Sequence, residues 1–146
     1  MSAERTAKAD AAASANIIKS ITQYEKELDF AQLVATMRAH AGNVDAQEQG
    51  CRALVNLTVN YDNKVKAGSA GAVEAVVAAM RAHASNAGVQ EQGCLALRNM
   101  TGNNDANQVK AGSAGAIEAV VAAMRAHASN AGVQEEGKIV LDRLKR

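Results

Sequence analysis

The chain has no proline and no tryptophan, and its aromatic residues are three, Tyr24, Phe30 and Tyr61, in 146 positions. Without proline, the strongest helix breaker is missing. Without aromatics, a core must be assembled from Ala, Val, Ile, Leu and Met. Each of these buries less area than an aromatic ring, so stability has to come from many small contacts. An excess of charge of one sign is also missing. Sixteen Lys and Arg face 15 Asp and Glu, which leaves no strong field for nucleic acid or a membrane surface. No apolar run approaches the ~20 residues of a membrane span. The opening MSAERTAKADAAASANIIKS lacks the continuous hydrophobic stretch of a secretory signal, and Glu4 and Asp10 interrupt the basic residues a transit peptide would carry. With only Cys51 and Cys94, a disulfide framework is excluded and a reducing compartment, cytoplasm or nucleus, is expected.

What remains is alanine-rich and repetitive. VQEQGCLALRNMT at Val89–Thr101 has a close copy 43 residues earlier, AQEQGCRALVNLT at Ala46–Thr58. A degraded copy lies 44 residues later, from Val133 to Leu144. Residues Lys66–Gly93 and Lys110–Gly137 agree at 26 of 28 positions, which points to recent duplication or deliberate design. Tandem copies at this period are the signature of a helical solenoid.

Taken in order, residues Ala3 to Leu28 form one long helix with Ile17, Ile18, Ile21 and Leu28 on one face and Tyr24 beside them. Its first dozen residues, mostly Ala with charges, are the end expected to fray. Asp29 with Gln32 three positions on reads as a helix start. The following helix carries Phe30, Leu33, Val34 and Met37, repeated as Val73, Val76, Val77, Met80 and as Ile117, Val120, Val121, Met124. This i, i+3, i+4, i+7 pattern is helical. The next helix in each copy is expected to start at Asp45, Gly88 and Gly132, each with Glu three residues later (Glu48, Glu91, Glu135). Glycines in its interior, Gly50, Gly93 and Gly137, predict close approach of a neighbouring helix. The segments Asp62–Gly71 and Asp105–Gly115 read as one or two weak helical turns, because Gly68 and Gly112 weaken them. In the last copy Lys138 replaces Cys94 and Arg143 replaces Asn99, as suits a charged terminal cap.

The expected fold is therefore all-α: residues 1–28 as an N-terminal capping helix, then three repeats at about 29–71, 72–115 and 116–146. Gln92, Leu95 and Asn99 share a helix face opposite the core stripe, and Gln49, Arg52 and Asn56 repeat it. Side-chain amides at such intervals suit an extended peptide backbone. His40, His83 and His127 belong to successive layers, roughly 8–10 Å apart, too far to close a metal site. They are read as caps on helix C-termini. Cys51 and Cys94 are read as core residues. No cofactor motif is present: the KAGSAG stretches lack the GxxxxGK[ST] of a phosphate-binding loop.

The order short helix, helix, helix at this length resembles the armadillo repeat, best in QVKAGSAGAIEAVVAAMRAH and VQEQGCLALRNMT; HEAT repeats are the second match. The resemblance covers the chain from Asp29 onward. It implies a right-handed superhelix whose third helices line a concave, peptide-binding groove. It also implies that Asn56 and Asn99 bond a peptide backbone, while the third copy has Arg143 at that place. The Trp that in the family precedes the Asn by four residues is Arg52, Leu95 and Ile139 here, so the resemblance does not extend to stacking on basic side chains. The sequence therefore predicts a non-enzymatic scaffold for a protein or extended peptide, without nucleic acid, membrane, metal or cofactor. Its binding residues would be Gln49, Arg52, Asn56, Gln92, Leu95, Asn99 and Arg143. The alternative is a designed or duplicated module that self-associates as a homo-oligomer.

Overall fold

The computed structural model describes residues 2–145. Among these, every regular element is an α-helix: α1 (Ala3–Glu27), α2 (Phe30–Ala39), α3 (Val44–Leu57), α4 (Tyr61–Ser69), α5 (Ala72–Ala82), α6 (Ala87–Thr101), α7 (Asp105–Ala114), α8 (Ala116–Ala126) and α9 (Ala131–Leu144). The main contacts between layers run from α1 to α3, α3 to α6 and α6 to α9, with α2, α5 and α8 touching in turn alongside. Helix α1 thus sits against α3 as α3 sits against α6.

The apolar stripes of α2 and α5 are buried as their spacing requires, whereas Leu28, expected on the apolar face of α1, lies just beyond that helix and is exposed. Phe30, Leu33, Val34 and Met37 are buried, as are Val73, Val76, Val77 and Met80. The one continuous core adds Cys51, Leu54, Cys94, Leu97 and Met100, with Ile21 from α1. Its substance is small aliphatic side chains and many alanines. The interior glycines meet neighbours as expected. A Cβ on Gly50, Gly93 or Gly137 would lie 2.6, 2.6 and 2.9 Å from the nearest atoms of Met37, Met80 and Met124. The long helix of each layer closes on the preceding one over a methionine.

Two further sequence expectations are corrected. The third helices do not start at Asp45, Gly88 and Gly132. Their N-caps are Asn43, Asn86 and Asn130, whose side-chain oxygens accept from the amides of Ala46, Val89 and Val133. Asparagine one turn before the glutamates satisfies the same unpaired amides and lengthens the helix. The short segments also form fuller helices than their glycines suggest. α4 spans nine residues and α7 ten, capped by Asn60 and Asn104. The extra residue that lengthens the third layer's lead-in falls beside Asn103, which turns with φ 53°.

Each second helix is entered through a left-handed residue. Gly71 and Gly115 hold φ 88° and 87°, and the equivalent residue in the first layer is Leu28, at 56°. At Gly115 a Cβ would also run into the Arg81 guanidinium, which donates to the Gly115 carbonyl. Gly115→Ala is expected to lower stability by about 1–2 kcal/mol, because a Cβ is disfavoured at positive φ. Urea denaturation followed by circular dichroism measures it, and an unchanged midpoint refutes it.

Buried polar groups repeat with the layers. The Gln47 amide donates to the carbonyls of Met37 and His40, Gln90 to those of Met80 and His83, and Gln134 to those of Met124 and His127. Each glutamine closes the carbonyl end of the helix before its own. Asn107, also buried, donates from its side chain to Lys64 O and Met100 O, tying three segments together.

Candidate partner-binding face

The seven residues singled out by the sequence all lie on the third helices. Arg52 and Asn56 are exposed; Gln49, Gln92, Leu95, Asn99 and Arg143 are half-buried. The position shared by Asn56, Asn99 and Arg143 has one recurring geometry. Asn99 Nδ2 donates to the Val55 carbonyl of α3 at 3.0 Å. Arg143 donates to the Arg98 carbonyl of α6, the equivalent acceptor one layer on. Asn56 reaches back to the Glu25 carboxylate on α1 at 3.4 Å. Val55 and Arg98 sit in the last turns of α3 and α6, where carbonyls have no partner within the helix. This position therefore ties each third helix to the one before it.

That tie uses one amide hydrogen of Asn99. Asn99 is half-buried, and the bond to Val55 is made by its Nδ2, not by its carbonyl oxygen. The charges around it are largely paired. Arg98 bridges to Glu136 at 3.0 Å, while Arg52 and Glu48 stand 4.0 Å apart on one exposed helix turn. An exposed pair of this kind contributes little. The face therefore carries little unbalanced charge at Arg52 and Arg98.

The histidines hold layers together. His83 Nε2 lies 2.8 Å from the Ala41 carbonyl, and His127 Nε2 lies 2.9 Å from the Ala84 carbonyl. A carbonyl only accepts, so the facing ring nitrogen carries the proton. As the sequence reading expected, His40, His83 and His127 are the C-cap residues of α2, α5 and α8; the rings of His83 and His127 bond the layer before as well.

Cys51 and Cys94 are both buried and free. Burial pushes each thiol up to about 12, with Cys94 and Glu48 adding to the effect at Cys51 and Glu136 at Cys94. Such groups stay protonated and poor nucleophiles. The sign follows from linkage. Between about pH 9 and 12 the unfolded chain has lost these protons while the folded one keeps them, so stability falls as pH rises through that window. Replacing both cysteines with Ser is expected to flatten that fall. Iodoacetamide at pH 8 should label neither thiol in the native chain and both in urea.

Sequence reasoning missed Gln47, Gln90 and Gln134, although the repeated QE dipeptide in all three copies marks them. Across the described residues no helix is long and apolar enough to cross a membrane, and no group of three or more His, Cys, Asp or Glu could hold a metal ion. No protein-family model, curated protein or solved structure matches the chain.

Proposed function

We propose that the chain is a non-enzymatic scaffold, an armadillo-like superhelix that binds an extended peptide or protein segment across α3, α6 and α9. The third helices lie side by side, each layer after the first repeats short helix, helix, helix, and outward amides recur at one register. The observation that carries the reading is Asn99, half-buried and anchored through one N–H to Val55 by a bond that does not use its oxygen. An extended peptide offers unpaired backbone N–H groups that such an oxygen accepts. Leu95, half-buried beside it, gives an apolar contact where the family carries Trp. Unpaired, protonated thiols fit the cytoplasm or nucleus.

The test is selection of peptides from a random library on the immobilised chain, followed by titration of the best binders. Asn56→Ala combined with Asn99→Ala is expected to weaken them about tenfold or more, since two lost bonds are each worth about 1 kcal/mol. Circular dichroism confirms that the double variant is folded. Unchanged affinity in the folded variant would sink the reading, and so would binders that are indifferent to Leu95→Glu.

A further inference from the structure

The layer α7–α8–α9 is written in almost the same residues as α4–α5–α6, yet its outer side is uncovered. Val73, Val77 and Met80 on α5 are at most 2% exposed. Their counterparts Ile117, Val121 and Met124 on α8 are only partly buried. Gly68 is covered by Asn107 of the next layer, whereas nothing lies within 4 Å of where a Cβ on Gly112 would be. On α9 the exposed Lys138 takes the place of buried Cys94, so that half of the end is polar. The α8 half keeps its interior residues.

What covers α5 is known: the short helix α7 packs on it, together with α8. Ala111 of α7 is fully buried, and Ala114 borders a cleft with Glu74, Val77, Ala78 and Arg81. The equivalent place on α8 would take a short helix that presents small residues, as α7 does with Ala111 and Ala114. The same chain holds one unused. Residues Ala3–Ala13 of α1 are all exposed. They are 11 residues long against the ten of α7. Ala3, Ala7 and Ala11 align on one face. Glu4 and Asp10 border that face and complement Arg125 of α8, and Lys8 complements Glu118.

We infer that residues Ala3–Ala13 of one copy dock on α8 of a second copy, in the place α7 takes on α5. The contact joins two different surfaces, so a copy with a spoiled arm still offers α8, and a copy with a spoiled α8 still offers its arm. This reading is independent of peptide binding on the third helices, which use another face.

Sedimentation velocity of the full chain from about 1 μM to about 1 mM tests it, a range suited to a small interface. The weight-average mass is expected to rise with concentration. Ala7→Glu with Ala11→Glu should hold the chain at monomer mass, and so should Val121→Glu, with circular dichroism showing both folded. If Val121→Glu unfolds the last layer, Glu118→Lys with Arg125→Glu, both at exposed sites, replaces it. An equimolar mixture of arm and α8 variants should regain association up to the mass of a dimer. A wild type that stays monomeric throughout overturns the inference. So does association that survives the arm substitutions, or a mixture of folded variants that stays monomeric.

Discussion

Gly93→Ala is expected to destabilise the protein by about 1–2 kcal/mol, and to stabilise it by about 1 kcal/mol once Met80 is alanine. On propensity alone the substitution should help, since Ala is favoured over Gly in a helix interior by about 1 kcal/mol. Packing reverses the sign. The added Cβ would stand 2.6 Å from Met80 Cγ and 2.8 Å from its sulfur. Met80 is 1% exposed, so its side chain cannot swing out into solvent to make room. Overpacking of this kind typically costs about 1–3 kcal/mol, more than the propensity returns. Met80→Ala by itself costs about 2–5 kcal/mol through the cavity it leaves. In that background the new methyl enters vacated space and the propensity gain survives. The pair should therefore couple by about 2–3 kcal/mol in a double-mutant cycle read by urea denaturation. Gly137→Ala is the internal control: Met124 is only partly buried and can swing aside, so its effect should be near zero. Additive effects at Gly93 and Met80 would show that the contact does not set the choice of glycine.

Gln90→Leu is expected to cost about 2–3 kcal/mol, even though it adds apolar volume to a buried site. The Gln90 amide lies 3.0 Å from the Met80 carbonyl and 2.9 Å from that of His83. Both acceptors belong to the C-terminal end of α5, where no further turn supplies amides. The His83 carbonyl also accepts from the Asn86 amide, so the loss falls mainly on Met80. Leucine leaves that carbonyl buried and unpaired. Gln90→Glu should cost more, because a carboxylate then faces two carbonyl oxygens where burial is nearly complete, at 1% exposure. Gln134 makes the same two bonds in a half-exposed setting, where water can replace the lost donor, so Gln134→Leu should cost less than half as much. Equal costs at the two positions would mean that burial is not what gives the bond its value.

The sequence made the helices legible wherever packing repeats. Phe30, Leu33, Val34 and Met37 had to share a face, and all four are buried. Gly50, Gly93 and Gly137 announced a close neighbour, and a methionine is there. Helix starts were harder. Asp45 with Glu48 and Asn43 alone are both sound caps, and the choice depends on where the preceding chain is pinned; Asn43 also donates to Ser14 on α1. The short helices were underestimated because propensity counts Gly68 as a cost, while Asn107 of the next layer packs against it only in the fold. Of the candidate face, the recurring register could be read directly. What each side chain touches could not, because Asn99 meets Val55 and Arg143 meets Arg98 across 44 and 45 residues of chain.

The histidine bonds and the ties at the Asn99 position lie on different helices of a layer, and this has a mechanical consequence. The boundary between the α2–α3 and α5–α6 layers is laced on one edge by His83 to Ala41 and on another by Asn99 to Val55. The next boundary is laced likewise by His127 to Ala84 and Arg143 to Arg98. Tilting one layer against its neighbour like the pages of a book must stretch the lacing on the opening edge, and sliding it must stretch both. The stack therefore resists both motions, and the spacing of one layer on the next is set when it folds.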